Sequence, residues 1–174
     1  MSIPIQVVNE KDQPTGQADK DEIWSKGLWH RVARVMLVND KDELLLQHRV
    51  PSKKIFPNCW DNSAAGHVDA GEDYAAAAAR ELREELGVDV ELREIGYYKS
   101  SETWHGLKFN RFAKVYVGRY NGTPTDYEPS EVDAVRWFTL RETQALVSQQ
   151  PDEVSDGLRQ VIERFSTQLA ITED

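Results

Sequence analysis

The chain of 174 residues has one cysteine, Cys59. No internal disulfide can form, and such sparing cysteine use fits a reducing compartment, so a cytoplasmic location is expected. Long apolar runs are missing as well. None approaches the ~20 residues that a membrane-crossing helix needs, and nothing resembles a secretory signal. Basic charge is scarce: 21 Lys and Arg stand against 30 Asp and Glu, a net charge of −9. That balance argues against a general nucleic-acid-binding surface and requires any anionic ligand to be held by local positive charge. No Gly/Pro/Ser-rich linker, repeat or low-complexity tract interrupts the chain, so one domain over residues 1–174 is expected, long enough for a buried core.

What is present is a mixture of strand and helix patterns. Residues 3–8 (IPIQVV), 31–38 (RVARVMLV) and 43–48 (ELLLQH) read as strands, the last two joined by the turn Asn39–Asp42. The segment 49–65, with Pro51, Pro57 and Asn62, reads as loop. A helix is expected over 73–86, then strands at 88–98, 111–119 and 132–138. Val154, Leu158, Val161, Ile162, Phe165 and Leu169 recur at spacings of three and four, the stripe of a helix packed on a core. Strands and helices mixed in this way suggest an α/β sandwich.

The densest pattern is at residues 66–88, GHVDAGEDYAAAAARELREELGV. Ala75–Ala79 are strong helix formers, and Gly87 suits a helix stop. Glu81, Glu84 and Glu85 fall at i, i+3 and i+4 and share one helix face, where like charges repel and a hard cation such as Mg²⁺ or Mn²⁺ relieves them. Alone, this would read as a solvated charged face. Gly66, Glu72, Arg80 and Gly87 stand in fixed register with it. At roughly 7% usage per letter, seven fixed letters coincide by chance about once in 10⁸ starting points.

In that register the segment is a complete Nudix box, and the chain resembles Nudix hydrolases. The resemblance implies a Nudix-type α/β/α sandwich with a mixed β-sheet, and metal-dependent cleavage of a diphosphate linkage. It implies Glu81 and Glu85 as primary metal ligands, Glu84 as a third ligand or the group that orients the attacking water, and the Gly66 carbonyl as a further ligand. Arg80 belongs with these catalytic residues; paired with Glu72, it reads as a brace between loop and helix. Mg²⁺, or Mn²⁺, is the expected cofactor, and a diphosphate-containing small molecule the expected partner.

HRVARVMLVNDKDELLLQHR and SKKIFPNCWDNSAAGHVDAGE further resemble the isopentenyl-diphosphate isomerase branch of that superfamily, over roughly residues 28–140. The isomerase cysteine falls on Ala65, which can neither donate a proton nor attack. The isomerase acidic pair falls on Phe109 and Arg111. His30 and His67 match two metal histidines, and a third falls on Ile23. Cys59 is out of register and reads as a small buried residue. The expectation is therefore an isomerase-like hydrolase, with an isomerase and a non-catalytic nucleotide-binding module as alternatives.

Arg49, Lys53 and Lys54 are the candidate phosphate clamp, Arg offering a fork and Lys a point charge; Arg49 and Lys53 match isomerase positions that hold diphosphate. His30 and His67 read as hydrogen-bonded pocket histidines. His48 and His105 read as surface or supporting groups. Trp60 and Trp104 read as core or rim packing and Trp137 as structural. Among Glu128, Glu131 and Asp133, one could supply a distal metal ligand.

Overall fold

The computed structural model describes residues 3–170. The elements run β1 (Ile5–Val8), β2 (Pro14–Ala18), α1 (Lys20–Lys26), β3 (His30–Val38), β4 (Glu43–Arg49), β5 (Trp60–Asp61) and β6 (Ala64–His67). They continue with α2 (Tyr74–Leu86), β7 (Arg93–Trp104), β8 (Leu107–Arg119), β9 (Val132–Thr139), α3 (Leu140–Gln149) and α4 (Asp156–Ala170). The strands join one nine-stranded sheet. Its centre is β3, which runs parallel to β8 and antiparallel to β1, β4 and β6. The sheet is mixed and has helices on both faces, the expected sandwich.

Period-two alternation assigns the faces. Ala33, Val35, Leu37 and Leu45 turn toward α2 and pack on Ala77, Ala78, Leu82 and Leu86. Met36, Val38, Leu44 and Leu46 turn the other way and meet Leu158, Val161, Ile162 and Phe165 of α4. Truncating a fully buried leucine such as Leu82 or Leu158 to alanine costs about 2–5 kcal/mol. The box helix α2 begins where Asp73 accepts a hydrogen bond from the Ala76 amide (2.8 Å) and stops at Gly87, whose φ of 67° is left-handed.

Several expected boundaries need correction. The segment 49–65 is not wholly loop: β5 pairs with β4, and β6 begins at Ala64 and pairs with β3. The strand expected at 88–98 begins only at Arg93, because its ladder with β8 starts at Arg93–Val117. Val88 is buried, and Val90 and Leu92 pack against the α2 core by their side chains alone. That strand then runs on to Trp104 and turns through His105 and Gly106, both at positive φ, into a β8 that starts at Leu107 rather than at 111. The turn-rich stretch after β1 contains β2. The short α1, capped by Asp19 and ended at Gly27, lacks the length for a periodic signature.

Candidate metal centre on the box helix

Strand β6 and helix α2 build the candidate centre. Arg34 pairs with Ala65 and Ala33 with Gly66 across β3 and β6, so Gly66 turns toward α2, while Ala65 turns to the opposite face with Arg34. Gly66 lies hard against Glu81: a methyl group at residue 66 would overlap the Glu81 carboxyl. Only glycine permits that approach. Glu81 and Glu85, one turn apart, bring their carboxyl groups together. Burial, then the neighbouring Glu81, pushes the Glu85 carboxyl well above the usual range. Burial also raises Glu81, against the opposing pull of Glu85 and Arg80.

Glu85 is nearly sealed from solvent. It accepts one hydrogen bond from Gln47 Nε2 (2.7 Å) and a longer one from the Ala65 amide (3.3 Å). Both donors are neutral. A buried carboxylate beside another carboxylate, held by neutral donors, is short of positive charge. A divalent cation fits that deficit and the oxygen donor set. Among the described residues, no three acidic, histidine or cysteine side chains close on one point. A cation here therefore needs further oxygens from backbone, water or substrate, as Mg²⁺ ordinarily takes.

Arg80 is a brace. Its Nε and Nη2 donate to the two oxygens of Glu72 (2.9 Å each) and Nη2 also to the His67 carbonyl (3.1 Å). Nη1 donates to Glu81 (2.8 Å) and Glu84 (3.1 Å), and Asp69 stands 3.3 Å from Nη2. The Glu72 hydrogen bonds draw the Glu72 carboxyl below the usual range. Glu84 stands apart from the buried pair, with its side chain 59% exposed.

The basic trio is less open than its sequence suggests. Arg49 donates to the carbonyls of Ile55 (2.9 Å) and Phe56 (3.1 Å) and to Asp61 (3.3 Å), so it ties down the loop between β4 and β5. Lys53 pairs with Glu131 and Lys54 with Asp21. Of the other acidic candidates, Asp133 bonds His48 (2.7 Å), and Glu128 bonds the Ser130 hydroxyl (2.8 Å) while its amide donates to the Glu85 carbonyl (3.0 Å).

His30 of β3 and His67 of β6 lie on the face of the sheet away from α2, their rings 5.2 Å apart. Burial drives the His30 pKa down to about 3 and that of His67 well below its usual value. Cys59 is buried and its thiol is pushed up to about 11 by burial, then by Asp61. Trp60 packs edge-on against Phe138 and His48; Trp104 lies on Phe56; Trp137 is partly buried beside the α2 core. His105 sits in the β7–β8 turn.

Gln47 is a site residue that the sequence reading missed. It is a polar side chain at the end of an apolar strand, on the same face as Leu45, and that placement is the signal that could have marked it.

Fold and centre together define an α/β sandwich in which a glycine strand and an acidic helix face one another. The chain belongs to the NUDIX domain family, whose sequence profile matches residues 28–165. It is 32% identical over 167 residues to an isopentenyl-diphosphate Delta-isomerase 2 of Photorhabdus laumondii, covering 93% of this chain and 92% of that one. It is 37% identical over 132 residues to an uncharacterized Nudix hydrolase of Pseudomonas aeruginosa, covering 75% of each. A crystal structure from Deinococcus radiodurans superposes with a TM-score of 0.78 at 27% identity, covering 92% of this chain and 98% of that one. The relatives thus include both isomerase-like and hydrolase members. No helix among the described residues is long and apolar enough to cross a membrane.

Proposed function

We propose that this chain is a metal-dependent hydrolase that cleaves a diphosphate linkage in a nucleotide or another small molecule, with Mg²⁺ or Mn²⁺ as cofactor. The observation that carries this reading is the contact between Gly66 and Glu81, next to a buried Glu85 with no cationic partner among the described residues. When bound, the cation neutralises diphosphate oxygens and lowers the pKa of a water. Glu81 and Glu85 hold it, with the Gly66 carbonyl as a further oxygen. Glu84, on the solvent side, orients the attacking water. Arg80 keeps Glu81 and the Glu72 loop in place. Lys53 leaves Glu131 to meet a substrate phosphate, Arg49 fixes the loop that carries it, and Lys54 adds charge at the rim.

Isomerisation of an allylic diphosphate is the competing reading, favoured by the names of several relatives. Ala65 disfavours it: it supplies no proton, and its face of the sheet carries Phe109 and Arg111. The test is a panel of nucleoside di- and triphosphates, diphosphate-linked nucleotides and prenyl diphosphates, each run with Mg²⁺, Mn²⁺ or EDTA. Metal-dependent release of phosphate or a monophosphate from at least one class supports the hydrolase. Conversion of isopentenyl diphosphate to dimethylallyl diphosphate without hydrolysis overturns it.

A further inference from the structure

The face of β6 that carries Ala65 holds a second polar cluster, back to back with the acidic pair. Arg34 is fully enclosed, yet its guanidinium makes one side-chain hydrogen bond, Nε to the Tyr98 hydroxyl (3.0 Å); Nη2 is buried without a partner. Among the described residues no carboxylate lies within ion-pair distance of it. It rests instead against the first turn of α4, where a methyl group at Gly157 would overlap Nη1. That is the positive end of a 15-residue helix, so two like charges meet in a dry place. Arg111 arrives at the same turn. Its Nη2 pairs with Asp156, and its Nε is buried without a partner.

The groups around them complete the pattern. Asn62 is fully buried; its Nδ2 donates to Asp61 (3.1 Å), which also accepts from Ser155 (2.8 Å), the residue before α4, and its Oδ1 has no partner. Arg111 is flanked across the strands by His30 on one side and Ser100 on the other. His30 Nδ1 is 2.9 Å from the Leu28 carbonyl and must donate to it, which leaves Nε2 as an unpartnered acceptor. Ser100 Oγ is unpartnered too. Three guanidinium groups, Arg34, Arg49 and Arg111, stand against two carboxylates, Asp61 and Asp156. Asp61 already accepts from Asn62, Ser155 and Arg49. The enclosed cluster has one positive charge in excess.

Buried polar atoms without partners are few in native proteins, and an unfilled donor beside an uncompensated charge points to a missing ligand. Here two cationic donors and two neutral acceptors surround one helix start. Sulfate or a carboxylate would answer only the donors. An oxyanion that retains an O–H answers the donors and one of the two acceptors. We propose that Arg34, Arg111, Asn62 and His30, at the first turn of α4, form a binding site for a phosphate group carrying a hydroxyl, either free hydrogen phosphate or the singly ionised form of a phosphate monoester. The site is separate from the Glu81–Glu85 centre and needs no metal.

The test is isothermal titration of the unmodified chain in EDTA with inorganic phosphate, glycerol 3-phosphate, sulfate and acetate. One phosphate-type ligand should bind at a single site, with sulfate and acetate weaker by about tenfold or more, the equivalent of one lost charge-assisted hydrogen bond. Whichever of the first two binds more tightly names the source. Arg111→Met should weaken binding by about tenfold or more, and Glu85→Gln should leave it unchanged. Because Arg111→Met could fail to fold, a crystal structure of the unmodified chain in phosphate gives a second reading. Tetrahedral density between Arg34 and Arg111 supports the site. Water alone at that position, or equal binding of sulfate, overturns it. Absence of hydrolysis by the unmodified chain, with phosphate binding intact, would count against the metal centre and not against this site.

Discussion

Gly66 and Glu81 occupy adjoining space so completely that a single methyl group on residue 66 would overlap the Glu81 carboxyl. Gly66→Ala should therefore turn Glu81 out of place. The expected result is a loss of kcat of about 10²-fold, as for removal of one charged ligand of a catalytic cation, with circular dichroism unchanged. Gly16→Ala is the control, since a methyl group there meets nothing within 4 Å. Equal activity of the two variants would break the link between this contact and catalysis.

Glu81→Gln and Glu85→Gln should each lower kcat by about 10²-fold or more while folding survives, because relieving like-charge repulsion on a helix is mildly stabilising. Steady-state kinetics and thermal melts on the same preparations check both halves. Activity within threefold of the parent for both variants would remove the pair from the site.

The raised carboxyl of Glu85 has a consequence for stability in the absence of metal. The folded state holds this proton more tightly than the unfolded state, whose pKa is near 4.5. Its contribution is thus fully present below pH 4.5 and is lost as pH rises through the higher folded value. In EDTA, the melting temperature of the parent should fall relative to Glu85→Gln as pH rises from 4.5 toward 8. Added Mg²⁺ should reverse that order at pH 8, since a ligand bound only by the folded state stabilises it. A pH-independent difference in EDTA would contradict the assignment.

The three basic residues should separate. Arg49→Ala removes the ties to Ile55, Phe56 and Asp61, so it should lower the melting temperature and raise KM together. Lys53→Ala should raise KM by about tenfold or more, the equivalent of one charged hydrogen bond of about 1.5–3 kcal/mol, with the melting temperature unmoved. Lys54→Ala should raise KM less than Lys53→Ala and leave the melting temperature unmoved, since Lys54 and its partner Asp21 are both exposed. Unchanged kinetics for Lys53→Ala would place the phosphate grip elsewhere.

The candidate metal centre was legible in the sequence because its parts are local. Gly66, Glu72, Arg80 and the three glutamates fall within one loop and helix, where spacing alone sets geometry. The central strands and the α4 stripe were legible through periodicity. What stayed hidden depends on contacts between distant segments. Gln47 reaches Glu85 from a strand 38 residues earlier. The same holds for the meeting of Arg34 and Arg111 at Gly157, which no local spacing encodes. Strand β6 hid in a stretch that Pro51, Pro57 and Asn62 mark as loop, because its pairing with β3 comes from tertiary packing. Lys53 stands in the loop where it was expected and Arg49 at the end of β4, but their intramolecular partners could not be read from spacing.

The central claim, a cation held by Glu81 and Glu85 that drives attack of water on phosphorus, is tested most directly by cleaving the best panel substrate in ¹⁸O-labelled water. Phosphorus NMR of the products gives the answer. With Mg²⁺, the account predicts one ¹⁸O per turnover on a product phosphate; with EDTA, or with Glu85→Gln, it predicts almost none. Undiminished product in EDTA, or label absent from every phosphate product, would contradict it.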